Sequence, residues 1–195
     1  MKELLIVITS STMLSCADPS KKPGSDREMA ETQDIFPVSS FVAGQVHGVD
    51  SLQVPVLKYT TIDNKTDTVL ISTAEFKTLA KEFMEPDISS DPSLKKYYKE
   101  SSFADQSVPS VSLIYSTVDK DLEIQRMDVV IQPDPYSHDK VKSIYMEKIS
   151  IAEDTSILKK LYWKANKSFL IITSKHAGTN PAITTQLKVV WDNVD

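Results

Sequence analysis

Three acids fall inside stretches that read as β-strands: Glu123, Asp128 and Glu147. Paired carboxylates are the one catalytic device whose members can lie far apart in sequence, and two facing carboxyls are what hydrolysis of a glycosidic bond requires. Asp128 sits between Met127 and Val129, close to Arg126. It therefore reads either as a cleft acid with Glu147 as its partner, or as half of an ordinary ion pair on a wet sheet face. A second group is Lys159, Lys160, Lys164 and Lys167, interleaved with Tyr162 and Trp163. Strand alternation puts Lys160, Tyr162 and Lys164 on one face, a candidate contact surface for an acidic protein or a glycan. Leu161 and Trp163 then face the core.

Other chemistry finds little support. Tyr97 and Tyr98 among Lys95, Lys96 and Lys99 have the composition of a base-stacking patch. In a chain of net charge -5, one packed tyrosine beside solvated lysines is the better reading, and nucleic acid is not an expected partner. His47, His138 and His176 share no metal-binding spacing, so no metal site is expected. No Gly-x-Ser-x-Gly elbow and no Gly-rich phosphate loop occurs, and no cofactor is implied. On balance the chain is not expected to be an enzyme.

The single cysteine, Cys16, stands behind a basic residue at Lys2, the apolar run Leu4-Leu5-Ile6-Val7-Ile8 and the small-residue stretch that ends at Ser15. The arrangement resembles a bacterial lipoprotein signal, in which residues 1–15 are removed and the cysteine becomes the lipidated first residue. An uncleaved anchor and an ordinary signal with a chance cysteine are the competing readings, though the apolar run is too short to span a bilayer. Lipidation with three acyl chains gives firm membrane attachment, where one chain binds only marginally. An aspartate after the cysteine would retain such a protein in the inner membrane of some bacteria. Ala17 stands there, so the outer membrane is expected, facing either periplasm or outside.

Residues 16–33 are polar, with Pro19, Pro23 and Gly24, and read as a tether. A single domain is expected over residues 34–195. It begins with an amphipathic helix over residues 37–49, where Val38, Phe41, Val42, Val46 and Val49 recur at helical spacing. A hairpin over residues 54–71 turns at Asp63-Asn64-Lys65. Ser72 and Glu75 then form a capping box for a helix over residues 73–84. Residues 87–102 read as broken structure with one helical turn, Phe103 plugging the core beside it. From Val111 the chain alternates as strands do, most cleanly at Leu187, Val189 and Trp191 with Gln186 and Lys188 between. The apolar parity switches between Ile124 and Met127, which calls for a β-bulge near Gln125-Arg126.

The phrases Phe36-Pro37-Val38-Ser39-Ser40-Phe41, Leu122-Glu123-Ile124-Gln125-Arg126 and Lys188-Val189-Val190-Trp191, behind such a signal, resemble small uncharacterised lipoproteins of Bacteroidota-type bacteria. That resemblance implies an outer-membrane location and brings no activity or ligand with it. The expected fold is α+β: an antiparallel sheet of five or six strands plus the N-terminal hairpin, with two helices on one face. The expected function is a non-catalytic envelope lipoprotein that binds a protein or ligand across the free sheet face. A carboxylate-dependent glycan hydrolase using Asp128 and Glu147, and an accessory subunit of an outer-membrane complex, are the alternatives.

Overall fold

Strands that begin at one edge of a sheet and resume at the opposite edge must be joined by a connection that crosses one face, and that crossing organises this molecule. The computed structural model describes residues 34–105, 107–136 and 138–191, within a compact unit spanning Gln33–Asp195. The signal, Cys16 and the tether lie outside the described residues. Helix α1 (Val38–Ser51) is followed by strands β1 (Val56–Ile62) and β2 (Lys65–Ile71), helix α2 (Thr73–Ala80) with a 3-10 turn at Lys81–Phe83, and the short helix α3 (Pro92–Lys95). Strands β3 (Lys99–Asp105), β4 (Ser110–Ser116), β5 (Ile124–Gln132), β6 (Lys140–Ala152), β7 (Thr155–Lys164), β8 (Ser168–Ala177) and β9 (Ile183–Val190) complete the chain.

All nine strands belong to one antiparallel sheet, in the order β2-β1-β9-β8-β7-β6-β5-β4-β3. This corrects the α+β expectation of five or six strands with a separate hairpin: the fold is dominated by a single nine-stranded sheet. Two features escaped the sequence reading. The β1–β2 hairpin docks on β9, from Leu57 opposite Val190 to Ile62 opposite Thr185. Residues 99–102, expected to belong to a broken stretch over 87–102, instead open the edge strand β3, which pairs with β4. Six of the seven β3 residues are exposed, so no buried face imprinted an alternating pattern on them. Phe103, expected in the core, is 62% exposed.

The connection from Ser72 to Tyr98 meets the strands in spatial order. The Lys58 ammonium of β1 bonds Glu75 of α2, and Phe76 packs on Trp191 and Phe169. Phe83 packs edge-on against Trp163 of β7, and the Glu85 carbonyl accepts from Lys148 of β6. The Tyr98 hydroxyl then donates to the Ile124 carbonyl of β5 at 2.7 Å. α1 lies on the same side, burying Val38, Val42, Val46 and Val49. The capping box is only half formed: Ser72 Oγ accepts from the Glu75 amide at 3.2 Å. The Glu75 carboxylate turns to Lys58 instead of back to Ser72, because a charged donor makes the stronger hydrogen bond. Asp87 closes the next bend. Although burial pushes its carboxyl up, hydrogen bonds from Ser89 and Ser90 hold it below the usual aspartate value.

At the centre of the core stand Phe76, Phe83, Trp163, Phe169 and Trp191, with Trp163 5.0 Å from Trp191 and 5.2 Å from Phe169 between ring centroids. Trp163 and Phe169 are register partners on β7 and β8, so the sheet itself fixes the stack. The bulge expected near Gln125-Arg126 is present, between Ile124 and Arg126. At the hairpin tip Asp63 and Asn64 both take positive φ, 49° and 61°, as a two-residue turn requires.

Trp163 Nε1 is buried without a hydrogen-bond partner among the described residues. Trp163→Ala should therefore lower unfolding free energy by roughly 3–5 kcal/mol through the cavity it leaves. Trp163→Phe should cost markedly less, since it also discards a donor that has lost water without replacement. Urea denaturation of the two variants checks the ordering.

Candidate functional site

Helices cover one face of the sheet, and strand alternation assigns the residues of the opposite, helix-free face. One row across it runs Ile114, Asp128, Tyr145, Tyr162, Leu170, Lys188 and Tyr59, each directly opposite the next. The adjacent row runs Ser116, Arg126, Glu147, Lys160 and Ile172. Of the residues singled out from the sequence, Asp128, Glu147, Lys160, Tyr162 and Lys164 thus share this face on three neighbouring strands.

The face is held together by polar side chains. Arg126 donates through both Nε and Nη2 to the two Asp128 oxygens, at 2.7 and 2.8 Å. The Tyr145 hydroxyl donates to Glu147 Oε1 at 2.5 Å, and Lys160 lies 4.0 Å from the same oxygen. Asp128 and Glu147 are diagonal neighbours across β5 and β6, close enough to share a ligand. Both, however, are committed as acceptors, one to a guanidinium and the other to a phenol and an ammonium. Arg126–Asp128 and Tyr145–Glu147 pair along single strands and Glu147–Lys160 across two, an arrangement of mutually satisfied groups, not of a free acid facing a free base. Tyr162, 42% exposed, stands beside Lys160 and Lys164, giving the centre of this face a basic, aromatic character in an acidic chain. As expected, Leu161 and Trp163 point into the core, each fully buried.

The remaining expected groups separate. Tyr98 is buried while Tyr97 is 44% exposed, with Lys96 5.0 Å over its ring. His47 lies on α1 with Nε2 3.3 Å from Ser51 Oγ, His138 in the β5–β6 connection and His176 near the end of β8. Among the described residues no three His, Cys, Asp or Glu side chains cluster as a metal site, and no helix is long and apolar enough to cross a membrane.

Glu123 leaves this group altogether. It precedes β5, where strand alternation no longer sets its face, and its carboxylate lies on the helix side, 3.3 Å from Lys148 Nζ. There a cleft of about 450 Å3 opens between the 3-10 turn and β6–β7, lined by Lys81, Lys148 and Lys159 and by Glu82, Glu85 and Glu123. Lys148 is 3% exposed and directly opposite Lys159 in the register. Lys159 is held by both Glu82 oxygens at 2.9 Å. Sequence reading missed Lys148, although its place in register with the inward-facing Ile144 and Met146 marked it as a lysine on the buried side.

Compared with known protein families and curated proteins, the chain matches no family model and no curated sequence. The class of protein is therefore argued from geometry: a single antiparallel sheet with one helix-covered and one free face.

Burial, and then the Glu147 carboxylate, push the Tyr145 phenol up to about 12, and burial pushes Tyr98 to about 12 as well. Unfolded tyrosine ionises near 10, so both groups favour the fold below that pH and lose their contribution as pH rises towards 12. In an alkaline absorbance titration Tyr98 and Tyr145 should ionise last. Tyr145→Phe should flatten the decline of stability above pH 10.

Proposed function

We propose that the protein is an envelope lipoprotein, attached to the membrane through Cys16, that binds a protein or glycan partner across the helix-free sheet face. The observation that carries the reading is the convergence of Lys160, Tyr162 and Lys164 with Tyr145, Arg126 and Lys188 on a broad surface that the helices leave uncovered. Exposed tyrosines offer rigid, amphipathic contact area, and lysine stems shield apolar surface while presenting charge. Ile114, Val130, Leu170 and Ile172 lie half-buried on the same face, so an occupant gains apolar contact as well as ion pairs. The basic centre favours an acidic partner.

Contact is a better use of this face than hydrolysis. Asp128 and Glu147 have their oxygens engaged by Arg126, Tyr145 and Lys160, and those bonds stiffen a platform. The resemblance to small Bacteroidota-type lipoproteins supports the envelope assignment, with the outer membrane as the favoured location.

Two substitutions test the two halves of this reading. Cys16→Ser should move the full-length protein from the detergent phase to the aqueous phase in a Triton X-114 partition; unchanged partitioning would end the lipoprotein assignment. Tyr162→Ala combined with Lys160→Glu and Lys164→Glu should abolish cross-linking to the native partner in membranes. Because these side chains are exposed, the triple variant should lose less than about 1 kcal/mol of stability. A Lys77→Glu control on α2 should leave cross-linking intact; if it and the triple variant behave alike, the sheet face is not the contact surface.

A further inference from the structure

The cleft on the helix side is lined by three basic and three acidic side chains. Lys148 and Lys159 face each other directly across β6 and β7, and like charges in that position destabilise a sheet. Their neighbours on the same side, Met146 and Leu161, are apolar and buried. Apolar residues at 148 and 159 would extend that core, and well-packed apolar groups replace buried charges with no loss of stability. Two buried or half-buried ammonium groups beneath an open cleft thus point to a ligand.

The cleft also supplies charges with nothing to hold. Lys81 and Glu85 both line it, and neither side chain has a hydrogen bond or ion pair among the described residues. Lys148 carries three donors and has two acceptors, the Glu85 carbonyl and Glu123. Its contact with Glu123, at 3.3 Å, is longer than the 2.7–2.9 Å of a close charge-assisted bond. Glu123 is a removable occupant. Its side chain is 48% exposed and also borders a second cavity of about 280 Å3, with Lys120 and Asp121.

We propose that this cleft binds a small zwitterion of the amino-acid or short-peptide class, and that Glu123 is an internal competitor for its carboxylate site. The ligand carboxylate displaces Glu123 from Lys148 and is shared with Lys81. The ligand ammonium meets Glu85. A purely anionic ligand meets repulsion from Glu85 and Glu82, and an apolar one leaves the charges of six lining side chains without a partner. The site lies on the face opposite the proposed contact surface and stands independently of that reading.

Titration calorimetry on the full-length protein tests this, with L-alanyl-L-alanine and L-alanine as zwitterions and propionate and ethylamine as the two half-ligands. The zwitterions should bind, propionate at least about tenfold more weakly, and ethylamine without measurable heat, since each half-ligand forfeits a charge-assisted bond. Lys81→Ala should weaken zwitterion binding about tenfold, and Glu123→Gln should tighten it, because a neutral amide competes poorly for an ammonium. Lys148→Met should abolish binding; the exposed Lys81 makes the same point should that variant fail to fold. The proposal is overturned if neither zwitterion binds the parent protein or Glu123→Gln, in which case the charges form a structural ion network only. It is equally overturned if propionate matches L-alanine, or if Lys81→Ala binds as the parent does.

Discussion

The crossing from β2 to β3 governs the rest of the structure. A chain that leaves one edge of a nine-stranded sheet and re-enters at the far edge has to travel the whole width of one face. Residues 72–98 do so as a helix, a 3-10 turn and a short second helix, and they bury Phe76, Phe83, Ile88 and Tyr98 on the way. This is the longest connection between strands among the described residues, and α1 lies on the same side. The two-faced character of the protein is thus a consequence of strand order, not of sheet composition alone.

Each face handles charge in its own way. On the free face, Arg126 and Asp128 pair along β5 and Glu147 and Lys160 pair across β6 and β7, all partly solvated, where their contribution to stability is small and their effect is to fix side-chain positions. On the helix face, Lys148 is withdrawn from water, and the crossing segment supplies its compensation through a backbone carbonyl. Removing water makes every partner of such an ammonium matter, which is why the cleft beside it is electrostatically more sensitive than the broad open surface.

Most elements were legible because each buries one face. The alternation of Leu187, Val189 and Trp191, the valines of α1 and the parity switch at Ile124 all record contact with the core. β3 was not legible because an edge strand with six exposed residues records nothing. The membership of the hairpin in the main sheet was hidden for another reason: its partner is β9, more than a hundred residues away, and local patterns carry no information on distant pairing. The open-face residues could be grouped from alternation within each strand. Alternation from the inward-facing Ile124 puts Glu123 on the open face; its contact with Lys148 on the helix side lies just ahead of β5, where the strand pattern no longer applies.

The union of β1 with β9 has a bearing on how the molecule is made. A ribosome delivers the first hairpin long before its docking strand exists, so an early segment with exposed Leu57 and Leu70 waits for the final one. Every other strand pair is a neighbour in sequence and closes a short loop; this one closes the longest, and such closures delay folding most. Assembly of the sheet therefore waits for β9, and a nascent chain stopped short of Ile183 can pair β3 to β8 but leaves the β1–β2 ribbon unmoored.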